Sequence, residues 1–304
     1  MAATLVAVDP ALAYYATKLH PLVLDSLGIA LVALTMVAML ERPGRRNALL
    51  LGLALGAGVL TRPTIAAVAV AALAWTAWRG ADVAVWRAWA LALVVSALII
   101  APWVARNYAV LGTFVLTRTN TAFVFWLGNH PDAPGGAVDP TDPTRRSVFE
   151  TAPDAMQRVR EAPDELAKNR VFRDEALRHV RADPAGFVGR LLRKLTYFWW
   201  FAPYQGHGYP VWQVFVYKVF HAANLLFAAL GLLALATTRR ARRPGLVILV
   251  LVPLVISLTQ SAFYVEGRHR LAVEALLLVF TAAGMLAVAR RGKGSAIRDP
   301  SAAR

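Results

Sequence analysis

Long apolar runs alternate with short basic connectors along most of the chain. A helix needs roughly 20 residues to cross a bilayer, and five runs approach or reach that length: Leu22–Leu40, Ala88–Ala105, Val214–Leu235, Leu246–Phe263 and Leu271–Ala289. Two shorter runs, Ala48–Leu60 and Thr64–Trp78, flank the sequence Thr61-Arg62-Pro63. That break is either the tip of a hairpin or a kink in one long helix. The pattern predicts an all-α polytopic membrane protein.

The positions of the basic residues favour the hairpin. If both short runs cross the membrane, the connectors ERPGRRN, RGADVAVWR and RRARR and the tail RRGKG all lie on one side, as the positive-inside rule requires. A single kinked helix would place RRARR opposite ERPGRRN. We therefore expect about seven transmembrane helices and a cytoplasmic C-terminus. The first 16 residues are too short for another span and look like the end of one.

The same alternation of connectors between the two sides of the membrane divides the chain into four parts. Residues 1–105 form N-terminal transmembrane helices, 106–213 a large extracytoplasmic loop domain, 214–291 C-terminal transmembrane helices and 292–304 a cytoplasmic tail. Within the loop domain, Pro163 suits the first turn of a helix, and a second helix starts at Asp183-Pro184.

This second helix has the pattern of a helix lying in the membrane interface. Its apolar face carries Phe187, Leu191, Leu195 and Phe198, and we expect Arg190, Arg193 and Lys194 on a separate polar face. The aromatic run Tyr197–Phe201, with Tyr204, suits a belt at the level of the lipid headgroups.

Composition supports the membrane assignment and narrows the chemistry. Hydrophobic residues make up 58% of the 304 residues and charged residues 17%, which is far from the profile of a soluble domain. A net charge of +15 would suggest a nucleic-acid partner in a soluble chain, but here arginines gather at the ends of apolar runs, so we expect none. The chain has no cysteine, and it lacks the Walker A, GxGxxG, GxSxG and HExxH motifs.

Ionisable and amide side chains gather at the predicted outer ends of the spans, although they lie far apart in sequence. They are His20, Asp25, Arg62, Arg106, Asn107, Asn129, His130, Glu266, Arg268, His269 and Arg270. Such groups are costly near a membrane unless they meet a partner or a ligand. Several arginines on one surface suit a phosphate, and a lipid phosphate would lie at this depth.

Each candidate also has a structural interpretation. Arg62 can cap a hairpin and extend to the interface, and Asp25 can stabilise the dipole of its own helix. Glu266, Arg268 and Arg270 can form an ion-pair turn. His130 suits a surface or hydrogen-bonding residue better than a metal ligand.

Five segments together resemble a known family: LGLALGAGVLTRPT, APWVARNYAVLGTFVLTRTN, WLGNHPDAPGG, DEALRHVRADPAGFVGRLLRKLTYFW and EGRHRLAVEALLL. In order and spacing they are similar to bacterial membrane glycosyltransferases of the GT-C superfamily, in the branch of protein mannosyltransferases and lipid A aminoarabinose transferases. The resemblance implies a GT-C-like helix bundle in the bacterial inner (plasma) membrane. It also implies transfer of a hexose or pentose from a polyprenyl-phosphate carrier to a glycan, lipid or protein acceptor at the extracytoplasmic face.

The resemblance also implies roles for the clustered residues. Arg268 and Arg270, and next Arg62 and Arg106, would contact the carrier phosphate, with Glu266 beside them. Asn129 and His130 would orient the sugar or the acceptor, and the catalytic candidates are Asp25 and His20. A divalent metal is compatible with such an enzyme, but these residues indicate no ligand set for it.

The chain departs from the family pattern near its start and near its last motif. Relatives carry a catalytic acidic residue in a large first external loop, which nothing before Asp9 supplies, and His20-Pro21 stands where relatives have an acidic residue before proline. Ala272 stands where relatives have proline. We therefore expect a chain equivalent to the C-terminal two-thirds of such an enzyme, either truncated at an internal Met or a reduced, inactive member.

Two other functions remain open. One is a non-catalytic membrane partner in envelope glycan assembly, which the missing acidic loop favours. The other is a transporter of lipid-linked or anionic substrates, which is disfavoured because the interrupted helix pair around Arg62 has no counterpart in the second half.

Overall fold

The computed structural model describes residues 1–130, 133, 152–202, 210–237 and 244–296, with side chains up to residue 290. The secondary structure of these residues is entirely helical. Tyr204, the RRARR connector and most of the 292–304 tail lie outside the described residues. The helices are α1 (Ala2–Ala7), α2 (Pro10–Ala16), α3 (Leu22–Glu41), α4 (Arg45–Thr61), α5 (Ile65–Trp78), α6 (Val83–Leu111), α7 (Thr121–Asn129), α8 (Pro153–Glu161), α9 (Glu165–Ala182), α10 (Pro184–Trp199), α11 (Val211–Ala236), α12 (Pro244–Ala262) and α13 (Gly267–Ala296).

Five of these helices, α3, α6, α11, α12 and α13, are long and apolar enough to cross a membrane. The prediction of an α-helical polytopic membrane protein is confirmed at that level. The shorter apolar helix α5 falls below the length of a full span. Helix α6 exceeds the predicted run by several residues at each end and stops at Gly112, whose φ of 66° is a left-handed conformation that glycine adopts without strain.

Helices α4 and α6 lie side by side and run in the same direction. A Cβ built at Gly52 would lie 2.6 Å from Val95 Cβ, and one built at Gly56 would lie 2.8 Å from Ile99 Cβ. Residue numbers therefore increase in the same direction along both sides of the contact, as they do in parallel helices. The absence of a side chain at the two glycines lets the backbones approach closely.

Helix α5 connects α4 to α6 in sequence, so it must run in the opposite direction to both. Its last turn meets the start of α6, where Trp89 Nε1 donates a hydrogen bond of 3.3 Å to Thr76 Oγ1. The helical backbone is interrupted from Arg62 to Thr64. Helices α4 and α5 consequently form a hairpin with Arg62 and Pro63 at its tip.

The second half of the bundle is organised around α11 and α13, which also run in the same direction. Tyr217 bonds to Glu274, and one step further along both helices Thr281 Oγ1 donates to Asn224 O. Cβ atoms built at Gly231 and Gly284 would lie 2.0 Å from Phe280 O and 1.9 Å from Phe227 O. Helix α12, which connects them in sequence, runs in the opposite direction, because Gly245 lies near Glu41 and Gln260 near Arg62. One end of the bundle therefore gathers the starts of α3, α11 and α13 and the ends of α4, α6 and α12. We call this the loop end.

Helices α7 to α10 lie between the two halves of the bundle in sequence. Trp126 and Leu127 of α7 form a small core with Met156 of α8 and Phe172 and Ala176 of α9.

Helix α9 begins later than the position of Pro163 in the sequence predicted. Asp164 is its N-cap and accepts a hydrogen bond of 2.6 Å from Ala167 N, so Pro163 precedes the helix and the prediction that it occupies the first turn is wrong. An aspartate side chain satisfies a free N–H of the first turn, which fixes the helix start at Glu165, two residues after Pro163.

Helix α10 shows the predicted apolar face, with Phe198 fully buried. The placement of Lys194 on a polar face is wrong, because this residue is also fully buried. Its ammonium donates to Gly128 O at 2.8 Å, Asn129 Oδ1 at 2.8 Å and Phe263 O at 2.6 Å. These acceptors lie at the C-terminal ends of α7 and α12, where a cation is favoured by the helix dipole.

Candidate functional site

A buried ion pair joins the first turn of α3 to the tip of the α4–α5 hairpin. Arg62 Nη1 donates to Asp25 Oδ2 at 2.9 Å, and Nη2 donates to Gln260 Oε1 at 3.2 Å. Gln260 in turn donates to Tyr264 O at 2.8 Å. Asp25 is 8% exposed and Arg62 7%. Three segments that are distant in sequence therefore meet at one point of the loop end.

This point contains polar atoms whose hydrogen bonds are unmet. Among the described residues, Asp25 Oδ1, Arg62 Nε, Thr64 Oγ1 and Ser261 Oγ are buried without a hydrogen-bond partner. Buried polar groups are normally paired with protein or with ordered water. The site therefore has donors and an acceptor available for a polar ligand or for water.

Positive charge surrounds the ion pair. The exposed Arg118 donates from Nη2 to Thr61 O at 3.0 Å and interacts electrostatically with Asp25 and with Arg62. Arg268, whose side chain is 36% exposed and ion-paired with Glu266, lies near His269. Three arginines thus accompany two carboxylates, and the surplus charge favours an anionic ligand.

Arg106 lies apart from this group. It is exposed, its guanidinium lies 5.1 Å from the Trp103 ring centroid, and it donates to Asn107 Oδ1 at 3.2 Å. Asn107 is buried and donates to Val115 O at 3.0 Å. Among the described contacts, these bonds tie α6 to the segment that follows it and do not reach Asp25 or Arg62.

Arg270 is separated from Arg268, although the two are predicted to hold the same phosphate. A spacing of two residues places side chains on nearly opposite faces of a helix. Arg270 is fully buried, donates to Tyr217 Oη at 3.0 Å and Phe198 O at 3.4 Å, and lies 4.6 Å from the Phe201 ring centroid. The side chain therefore faces the interior of the bundle.

Arg270 belongs to a buried network that the sequence analysis did not identify. Tyr217 Oη donates to Glu274 Oε2 at 2.9 Å, and Glu274 Oε1 lies 3.1 Å from His221 Nδ1. The other ring nitrogen of His221 lies 3.0 Å from Trp199 O. Both ring nitrogens of His221 therefore lie within hydrogen-bond distance of an oxygen atom.

Asp9 lies beside this network. It is fully buried, caps α2 through hydrogen bonds of 2.9 Å from Ala11 N and Leu12 N, and interacts electrostatically with Glu274 and Arg270. The signal in the sequence was the presence of Glu274 and His221 inside apolar runs, where ionisable residues require partners.

Asn129 and His130 are buried at the C-terminal end of α7, beside the small core of α7 to α9. Asn129 is fully buried and donates to Phe125 O and Ala262 O, both at 2.8 Å. The His130 ring packs 5.3 Å from Trp126 and 5.5 Å from His179, centroid to centroid. These contacts, with the Lys194 ammonium, hold α7 in place. They do not join either residue to the Asp25–Arg62 pair.

His20 and His269 lie at the site itself. His20 interacts electrostatically with Asp25 and with His269, and His269 interacts with Arg62. Within the described residues, no three His, Asp or Glu side chains are placed to hold a metal ion.

The site thus consists of Asp25, Arg62, Gln260, Arg118, Arg268, His20 and His269. Comparison with protein families, with curated proteins and with solved structures finds no match to this chain. Its function is therefore inferred from the geometry of this site.

Proposed function

We propose that the protein is a membrane glycosyltransferase that takes a sugar from a polyprenyl-phosphate donor and transfers it to an acceptor at the extracytoplasmic face. One observation carries this proposal: the buried Asp25–Arg62 pair, with Asp25 Oδ1 and Arg62 Nε unpartnered, lies within a surplus of arginines at the loop end. A phosphate ester needs cationic N–H donors, and the acceptor hydroxyl needs a proton acceptor. The site supplies both.

The chemistry divides between the arginines and the carboxylate. Arg62, Arg118 and Arg268 bind the phosphate oxygens, and their charge stabilises the leaving polyprenyl phosphate, which is the largest contribution that preorganised donors make. The acceptor oxygen attacks the anomeric carbon, and the bond between that carbon and the phosphate oxygen breaks with its electron pair staying on the phosphate. Asp25 Oδ1 accepts the hydroxyl proton, since Arg62 already occupies Oδ2.

This function requires the loop end to face away from the cytoplasm. The α4–α5 hairpin supports seven crossings, and the basic connectors then lie together on the cytoplasmic side. Because the chain has no cysteine, single cysteines can test the arrangement in the bacterial plasma membrane. A cysteine at the exposed Lys168 should react with an impermeant maleimide in intact cells, and one at the exposed Arg45 only after permeabilisation. Reaction of both from the same side would contradict the topology.

The transferase proposal is tested with purified protein in nanodiscs supplied with polyprenyl-phosphate sugars of several hexoses and pentoses. We expect at least one donor to release polyprenyl phosphate in the presence of acceptor lipids, and Arg62→Gln to abolish that release. Arg106→Gln is the matched control, because Arg106 lies outside the site, and it should retain activity. Donor binding without release by the wild-type protein would instead favour a non-catalytic partner in envelope glycan assembly.

A further inference from the structure

We infer that His20 and His269 are uncharged N–H donors that bind the phosphoryl group of a prenyl phosphate at this site. The inference rests on the proposed function for the identity of the ligand, but it concerns binding and can be tested without turnover. It adds two ligand contacts to those of the arginines.

The main chain fixes which ring nitrogen of each histidine carries the hydrogen. Leu22 N donates to His20 Nδ1 at 3.2 Å, and Glu266 N donates to His269 Nδ1 at 3.0 Å. A nitrogen that accepts a hydrogen bond from an N–H group is itself unprotonated. In both neutral rings the hydrogen therefore lies on Nε2, and both rings present a donor.

Neighbouring rings restrict the orientation of the two donors. The Tyr15 ring lies 5.5 Å from the His20 ring, and the Tyr264 ring lies 5.0 Å from the His269 ring at an interplanar angle of 87°. Each imidazole is thus held by a hydrogen bond at one edge and by an aromatic ring at another. Donors fixed before the ligand arrives lose little conformational entropy on binding.

The charges around the His269 ring disfavour adding a proton to it. His269 is close to Arg62, Arg268 and His20, all of which are cationic or become cationic on protonation. Asp25 lies nearby, but Arg62 already binds it. His269 thus interacts with Arg62, whose buried Nε has no hydrogen-bond partner among the described residues, and His20 interacts with His269. A phosphoryl group, which offers several acceptor oxygens and negative charge, matches these N–H donors.

Two isosteric substitutions separate the donor from the bond that orients it. The amide of asparagine overlaps the Nδ1 edge of histidine, so His269→Asn retains an acceptor for Glu266 N and loses the Nε2 donor. Glutamine reaches the Nε2 position, so His269→Gln retains a donor and loses the bond to Glu266 N. The same pair is made at His20, and His179→Asn in the loop domain is the matched control.

Binding is measured in nanodiscs with farnesyl phosphate, the neutral alcohol farnesol and inorganic phosphate. We expect wild-type protein to prefer farnesyl phosphate over farnesol, and each Asn variant to reduce farnesyl phosphate affinity roughly tenfold with farnesol affinity unchanged. Each Gln variant should lose less, and the His179→Asn variant should bind as wild type. Competition by inorganic phosphate at similar concentrations would show that the site takes the free anion, whereas its failure would show that the prenyl chain is required.

Three binding results would overturn the inference: a wild-type protein that does not prefer the phosphate, Asn variants that bind farnesyl phosphate normally, or Asn variants that lose farnesol and farnesyl phosphate affinity equally. The last would show that the rings only support packing. Sugar transfer that survives both Asn substitutions would overturn the histidine contacts and leave the transferase intact. Histidine-dependent phosphate binding without transfer by any donor would leave the contacts intact and remove the transferase.

Discussion

Replacing Lys194 by methionine removes a buried ammonium while keeping a side chain of similar length. In the wild-type protein this ammonium joins α10 to the C-terminal ends of α7 and α12 through three hydrogen bonds of 2.6 to 2.8 Å. Methionine offers no donor, so Gly128 O, Asn129 Oδ1 and Phe263 O each lose a partner. Because the ends of two helices meet at one cation, the loss weakens the attachment of α7 and α10 to α12.

The magnitude follows from the three acceptors. A buried acceptor left without its donor costs about 1–3 kcal/mol, so three give about 3–9 kcal/mol. The methionine variant avoids the cost of burying the ammonium, which lowers the net loss to about 3–5 kcal/mol. For a chain of 304 residues, that loss lowers Tm by about 5–8 °C.

The assay is thermal unfolding of detergent-solubilised protein, followed by intrinsic tryptophan fluorescence. Lys168→Met is the matched control, because Lys168 is exposed on α9, and it should change Tm by less than about 2 °C. Equal Tm values for the two variants would refute the reasoning, since they would show that the three hydrogen bonds contribute no net stability.

The contribution of Lys194 should also depend on pH. Burial, together with the charges of Arg190 and Arg193, lowers the pKa of Lys194 from 10.5 to about 7. Between these two pKa values the unfolded chain binds a proton that the folded protein has released, so folded stability rises with pH across that window. The difference in Tm between wild type and Lys194→Met should therefore be larger at pH 9 than at pH 6. A difference that shrinks with rising pH would contradict the lowered pKa.

Two further predictions concern close packing and the separated arginines. Gly284→Ala should strongly destabilise the protein, because a Cβ there would lie 1.9 Å from Phe227 O. Gly28→Ala should leave Tm nearly unchanged, because its Cβ would meet nothing nearer than 3.9 Å. Equal effects of the two substitutions on Tm would contradict the close approach of α11 and α13. Arg270→Gln should lower Tm by several degrees, because a buried hydrogen-bonded cation is lost, whereas Arg268→Gln should keep Tm and weaken farnesyl phosphate binding about tenfold or more. The reverse pattern would return the phosphate contact to Arg270.

Hydropathy predicted the long helices well because a span depends mainly on its own composition. The predicted runs agree with α3, α11, α12 and α13 to within a few residues at most ends. Helix α10 shows the limit of periodicity. A helical pattern gives the angle of Lys194 around the axis, but it does not show that the C-terminal ends of α7 and α12 lie on that side.

The candidate site could be predicted only in part. The topology placed Asp25 and Arg62 at the same end of the bundle, but their pairing with Gln260 depends on how α3, α12 and the hairpin pack. The separation of Arg268 from Arg270 was available from the sequence, since residues two apart point in nearly opposite directions on a helix. The sequence also contained a signal for the network of Glu274 and His221, because both are ionisable residues within apolar runs.

The central claim is that the cluster around Asp25 and Arg62 binds the phosphate of a polyprenyl carrier. The most direct measurement is a structure by electron cryomicroscopy in nanodiscs, with an antibody fragment for alignment and a polyprenyl monophosphate added. We predict that the phosphate lies within hydrogen-bond distance of Arg62 Nε and of Arg268 or His269 Nε2. Phosphate density at the opposite end of the bundle, near Arg42 and Arg45, with no lipid at the Asp25–Arg62 pair, would contradict the account.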